Sequence, residues 1–254
     1  MELASNPLEE VLYRGFYPRV FSSNIPPHLF YPNYIETYLQ RDVQDVINPS
    51  NVGAFHRFVQ LCAGLAGQLI NYSNLANTAG ISLATAKEWL SILERSYTIF
   101  QLPPFYKNFN KRLVKTPRLY FYDTGLLCHL LGIKSHREVR TYYQWGALFE
   151  NMIVAEIAKQ AHHKGERPNL YFWRDSNGNE IDLVRESGGT LHLMEIKATR
   201  TLKPDHFRNT TKFRKWVGDQ PARYYLAHGG TEDAYTRQED TTVLNYKDVG
   251  RFLE

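Results

Sequence analysis

Residues 169–199 read NLYFWRDSNGNEIDLVRESGGTLHLMEIKAT, and this stretch decides the fold of the C-terminal half. It spells three short strands joined by two tight turns. Tyr171, Phe172 and Trp173 open the first strand, and Ser176-Asn177-Gly178-Asn179 supplies a turn because Asn and Gly tolerate positive φ. Ile181 to Arg185 forms the second strand, Ser187-Gly188-Gly189 the second turn, and Leu191 to Ala198 the third strand. Side chains alternate along a strand, so Glu195 and Lys197 share one face while Met194 and Ile196 take the other. Asp182 sits on the neighbouring strand. Two carboxylates and a lysine at the edge of an apolar sheet are a set that can hold a divalent metal and a phosphate.

The flanks extend this into a mixed α/β unit. Upstream, Gly146 to Gln160 (GALFENMIVAEIAKQ) is a strongly apolar helix that carries Glu150 among Leu148, Phe149, Met152, Ile153 and Val154. A carboxylate there needs a partner or a metal, or a place at the helix edge facing water. Downstream, Lys203 to Val217 reads as a basic helix packed through Phe207, Phe213, Trp216 and Val217. Strands follow at Ala222 to Ala227 and Thr242 to Asn245, then a short helix at Val249 to Leu253.

The first half is helical. Residues 1–30, with Pro7, Pro18, Pro26 and Pro27, read as an irregular connector, and Tyr34 to Ile47 as a helix ended by Pro49. Residues 53–67 form an amphipathic helix. Residues 73–80 form a short one with Ser73 as its N-cap, and Leu83 to Ser96 a longer one capped by Ser82. The last two helices and the Gly80 turn between them make a helix-turn-helix pattern. Strands at Thr98 to Leu102 and Arg118 to Tyr122 then enclose a basic hairpin tip, giving a winged helix. Lys107, Lys111, Arg112 and Lys115 on the tip are candidates for contact with a nucleic-acid backbone. Asp123-Thr124-Gly125 caps a helix over Leu126 to Leu131, and residues 134–145 read as a polar connector.

Composition sets the frame. The chain has 254 residues, 43% hydrophobic and 14% aromatic, as a folded protein requires. The net charge of +4 says little, but its distribution says more: residues 107–118 hold five basic residues and no acid, and residues 197–215 hold seven against Asp205. Such excess suits a polyanion, and equally a solvated basic face. Cys62 and Cys128 sit in apolar helical patterns and read as buried thiols of a cytoplasmic protein. No apolar run approaches the ~20 residues that span a bilayer, and MELASNPLEE lacks the features of a signal peptide, so no membrane partner is expected.

Asp182 followed by Glu195-Ile196-Lys197, with Glu150 on a preceding helix, resembles the PD-(D/E)xK, or restriction-endonuclease-like, nuclease superfamily. The runs YIETYLQRDV, GQLINYSNLANTAGISLATAKEWLSILERSY, NKRLVKTPRLYFYDTGLLCHLLGI, GALFENMIVAEIAK, YFWRDSNGNEIDLV and EIKAT, from about Leu12 to about Phe213, resemble one prokaryotic family. It is the AAA-type ATPases whose C-terminal half is domain of unknown function 4143.

The resemblance implies an α+β multidomain chain: an ATPase-proximal linker and helix (residues 1–52), a winged helix (53–134) and a restriction-endonuclease-like mixed-sheet domain (135–254). It further implies Mg²⁺ or Mn²⁺ held by Asp182, Glu195 and the carbonyl of Ile196, with Lys197 catalytic and Glu150 assisting. Arg174, Lys203, Arg208, Lys212 and Arg214 would then grip DNA. It also implies a nucleotide-binding module upstream in the full-length protein; this chain itself contains no Gly-x-x-x-x-Gly-Lys-Ser/Thr loop and so is expected to bind no nucleotide. The chain reads as a C-terminal fragment or a truncated member, with an oligomer possible. Two functions follow: a metal-dependent DNA nuclease, or a non-catalytic DNA-binding or protein-interaction module serving an ATPase.

Overall fold

A computed structural model describes residues 7–39, 51–105, 115–175, 177–230 and 241–254. They form a mixed α+β structure that divides into two units. The first comprises residues 1–101 and 119–152, the second residues 102–118 and 153–254.

The first unit begins with three short helices, α1 (Leu8–Arg14), α2 (Pro18–Ser22) and α3 (Pro27–Tyr34), where the sequence suggested an irregular connector. Pro18 and Pro27 stand in the first turn of their helices. There the missing N–H costs nothing and the fixed φ is already helical, so these prolines start elements instead of breaking them. Leu8, Val11, Leu12, Val20 and Tyr31 supply the buried face. Of the expected Tyr34–Ile47 helix, residues 35–39 form a π-helical turn and residues 40–47 lie outside the described residues.

Three helices follow: α4 (Val52–Gly64), α5 (Tyr72–Ala79) and α6 (Leu83–Arg95). Ser82 caps α6 as expected, its side chain accepting the N–H of Thr85 at 3.0 Å. The cap of α5 is Asn71 rather than Ser73: the helix starts earlier, and Asn71 Oδ1 accepts the N–H of Asn74 at 3.0 Å. Trp89 of α6 packs edge-on against Phe55 and Phe58 of α4, with both centroid separations 5.3 Å. A two-stranded sheet follows, β1 (Ile99–Leu102) with β2 (Arg118–Phe121). Next come α7 (Thr124–Leu130), α8 (His136–Thr141) and α9 (Trp145–His163). Helix α8 occupies part of the stretch read as a connector; Val139 is its one fully buried side chain, too short a signal for apolar periodicity.

Asp123 ties the first unit together. It is 5% exposed, and its side chain caps α7 by accepting the N–H of Leu126 at 2.7 Å. The same carboxylate accepts the N–H of Phe16 at 2.6 Å and lies 2.9 Å from the Tyr31 hydroxyl, which also reaches the carbonyl of Arg14 at 2.7 Å. Gly15, at φ +69°, lets the backbone approach: a Cβ there would overlap the Tyr31 hydroxyl and the Asp123 carboxylate. Asn151, fully buried, serves β2 in a similar way. Its amide accepts the N–H and donates to the carbonyl of Phe121, both at 2.8 Å, taking the place of a neighbouring strand.

The second unit is built on a five-stranded mixed sheet in sequence order: β3 (Leu170–Arg174), β4 (Glu180–Ser187), β5 (Thr190–Lys197), β6 (Ala222–His228) and β7 (Thr241–Asn245). The meander β3–β4–β5 is antiparallel, and β5–β6–β7 is parallel. The basic segment forms a 3₁₀ turn (Pro204–Phe207) and α10 (Arg208–Val217). Phe213 and Val217 of α10 pack with Trp173, Val184, Leu191, Leu193 and Tyr224 in one apolar cluster. Trp173 meets Phe213 edge-on at 4.8 Å. No helix among the described residues is long and apolar enough to cross a membrane.

Replacing Asp123 with Ala removes a helix cap and leaves the Phe16 N–H and the Tyr31 hydroxyl without their carboxylate. The expected loss is on the order of 3 kcal/mol, read as a lower urea midpoint with an unchanged slope. A loss below about 0.5 kcal/mol, the range of neutral surface changes, would contradict the role given to Asp123.

Candidate active site

The candidate site lies in the second unit, where β4 runs beside the C-terminal end of β5. The turn leading into β4 is shaped by Asp175, which sequence reasoning passed over. Its Oδ1 accepts the N–H groups of Asn177 and Asn179, each at 2.9 Å, and Gly178 takes φ +80° as the turn requires. Ser176 lies outside the described residues.

A register shift in β4 then re-aims Asp182. Tyr171 pairs with Val184 and Trp173 with Ile181, so β4 carries one more residue than β3 over that interval. The pairing of β4 with β5 runs from Ser187↔Thr190 to Leu183↔Met194 and stops short of Asp182. Beyond that point the side chain takes over: Asp182 Oδ2 accepts the N–H of Ile196 at 2.8 Å.

Glu195 and Lys197 share a face, as the alternation requires. Lys197 Nζ donates to Glu195 Oε1, with Glu195 buried and Lys197 about one-third exposed. Burial pulls the Lys197 pKa down, but the Glu195 and Asp182 carboxylates and the bond to Glu195 outweigh it, so the net shift is upward. For Asp182, burial is the largest influence and raises its pKa. Lys197, Arg118 and the Ile196 N–H act in the opposite direction without overcoming it. Lys197 is therefore a fixed ammonium at neutral pH, beside two carboxylates.

Two residues that sequence reasoning missed complete the surroundings. Arg118 Nη2 donates to Glu180 Oε2 at 2.7 Å, while Nη1 stands 3.9 Å from Asp182 Oδ1. Its one sequence signal is a basic residue opening an otherwise apolar strand, RLYF. His206 accepts the N–H of Lys203 through Nδ1 at 3.1 Å. Its pKa is lowered, by burial first and then by the charges of Lys197 and Lys203.

The other expected residues fall as follows. Arg174 pairs with Glu180 at 3.7 Å, close to this cluster. Lys203, Arg208, Lys212 and Arg214 are exposed on the turn and helix after β5; Arg208 pairs with Asp205 at 3.4 Å, and Arg214 lies 4.8 Å over the Tyr224 ring. Lys115 is exposed, while Lys107, Lys111 and Arg112 lie outside the described residues. Glu150 belongs to the first unit, where the Tyr120 hydroxyl donates to it at 2.6 Å. A phenol is thus one partner of that carboxylate.

The donors expected at a metal, the carboxylates of Asp182 and Glu195 and the Ile196 carbonyl, are all hard oxygens. No group of three or more His, Cys, Asp or Glu side chains suited to hold a metal occurs among the described residues. Two carboxylates fit Mg²⁺, which keeps several of its waters and uses substrate phosphate as a further ligand.

Comparison with known proteins divides the chain. Residues 145–249 match the domain of unknown function DUF4143, and residues 5–137 match the domain of unknown function DUF8612. The resemblance seen from Leu12 to Phe213 is therefore shared between two families. Uncharacterized protein Mb2031c of Mycobacterium bovis and uncharacterized protein Rv2008c of Mycobacterium tuberculosis are each 30% identical over 203 residues. The match covers 79% of this chain and 45% of each relative, so the chain spans less than half the length of these curated relatives. No solved structure matches. More than half of the chain falls within the first of the two families, and the protein is accordingly a member of the DUF8612 family, with a DUF4143 segment after it.

Proposed function

We propose that this chain is the DNA-associated module of a cytoplasmic AAA-type ATPase and carries a metal-dependent phosphodiester-cleaving site. The observation that carries the reading is the convergence of Asp182 and the Glu195–Lys197 pair, with Asp182 bonded to the backbone of the intervening Ile196. In this reading the five-stranded unit is a restriction-endonuclease-like domain, and the helices from Val52 to Arg95 with β1 and β2 are a winged helix.

Asp182 and Glu195, with the Ile196 carbonyl, would hold Mg²⁺ or Mn²⁺. The bound ion would neutralise phosphate charge and lower the pKa of a coordinated water. Lys197 contributes a persistent positive charge. Its raised pKa suits it to hold a phosphate oxygen and stabilise the charge that develops there, and makes it a poor proton acceptor at neutral pH. The exposed cations Lys203, Arg208 and Lys212 lie along the chain just after β5, where a backbone approaching Lys197 would meet them.

A second reading has its own support. Glu180 and Asp182 already face Arg118, Arg174 also reaches Glu180, and Glu195 already engages Lys197. Carboxylates satisfied in this way suit a nuclease-like fold retained for DNA binding or protein interaction without cleavage.

The first reading predicts cleavage of plasmid or single-stranded DNA with Mg²⁺ or Mn²⁺ and none with chelator. Asp182→Asn and Lys197→Gln should each lower the rate about a hundredfold or more with the fold intact. Cleavage by both variants at the wild-type rate would remove these residues from the chemistry. The second reading predicts DNA binding that weakens steeply with salt and no cleavage with any metal. Replacing Lys111, Arg112 and Lys115 together with Ala should then flatten the salt dependence, by a slope of about 0.9 for each phosphate no longer neutralised. An unchanged slope would place DNA binding away from the hairpin tip.

A further inference from the structure

Arg118 lies outside residues 145–249 and inside the segment matched by the preceding family. It nevertheless belongs to the second structural unit, which takes in residues 102–118. Its side chain is 5% exposed, an unusual place for a guanidinium without a specific task. Its neighbours include Glu180, bonded at 2.7 Å, Asp182 Oδ1 at 3.9 Å, and the ring of Phe172 4.8 Å from its central carbon. Asp182 is thus addressed on both oxygens, Oδ1 by the guanidinium and Oδ2 by the Ile196 N–H.

We propose that Arg118 is a positioning residue for Asp182, so that the acidic site of the C-terminal segment is completed by an arginine from the segment before it. The functional meaning rests on reading Asp182 as a site carboxylate; the contact itself does not. Two features make the role specific to arginine. A planar fork reaches two carboxylates at once, where an ammonium acts as a point charge. The face of Phe172, 4.8 Å from the guanidinium carbon, supports a planar, weakly hydrated cation better than a compact ammonium. Arg174, more exposed and 3.7 Å from the same Glu180 oxygen, shares the charge without facing Asp182 at that distance, and serves as the control.

Amide hydrogen exchange of the whole chain, resolved by NMR, tests the proposal without metal or DNA. In Arg118→Lys, the Ile196 amide should exchange at least about tenfold faster, the loss expected when a hydrogen bond is loosened. Leu193 and Leu226 in the same sheet should keep their rates, and Arg174→Met should leave Ile196 unchanged. Arg118→Met should enlarge the Ile196 effect; if that variant fails to fold, Arg118→Lys decides. Unchanged Ile196 exchange in Arg118→Lys, or a rise matched by Leu193 and Leu226, would overturn the positioning role. A chain that never cuts DNA can still pass this test, and a chain that cuts DNA can fail it, so the two proposals stand or fall separately.

Discussion

The N–H of Ile196 is the constraint on which the candidate site depends. The ladder of β4 with β5 ends one residue before Asp182, and the Asp182 carboxylate accepts the Ile196 N–H beyond that point. This bond fixes the Asp182 side chain relative to the strand that carries Glu195 and Lys197. The site is therefore set on strands held by the sheet, and its precision does not rely on a loop. Shifting β4 by one residue would turn Asp182 to the opposite face and dissolve the cluster.

Charge and burial then act against each other. Glu180, Asp182 and Glu195 lie among Arg118, Arg174 and Lys197. Burial favours the neutral form of Asp182, whereas its cationic neighbours favour the charged form. The neighbouring carboxylates keep Lys197 protonated. Ion pairs of this kind contribute little net stability, because desolvation offsets most of the attraction, yet losing one member leaves its partner exposed to the full penalty. The arrangement is better understood as fixing directions than as supplying stability. Asp123 plays a comparable part in the first unit, where one carboxylate accepts two backbone N–H groups and meets the Tyr31 hydroxyl.

Much of this was legible in the sequence where local chemistry decides. The strand meander, the Ser82 cap and the shared face of Glu195 and Lys197 follow from alternation and turn residues, and the structure has them. The N-terminal helices are hidden when prolines are read as breakers, while the first-turn position of Pro18 and Pro27 makes them starters. Arg118 and Asn151 were missed for a different reason. Each acts on a partner distant in sequence, Arg118 on Glu180 and Asn151 on Phe121, and no periodicity records such a pairing. The inclusion of residues 102–118 in the second unit has no sequence marker either, since its two boundaries fall inside the strands β1 and β2. The apolar run around Glu150 shows that its carboxylate needs a partner, but a tyrosine thirty residues upstream is not legible from the helix that carries it.

The proposed metal site at Asp182 and Glu195 is tested most directly by paramagnetic Mn²⁺. Titrated into the isotope-labelled chain, Mn²⁺ should broaden the amide signals of Asp182, Glu195, Ile196 and Lys197 first, at substoichiometric concentration, with Asp182→Asn abolishing the effect. Broadening centred elsewhere, or none at these four amides, would contradict a metal site there.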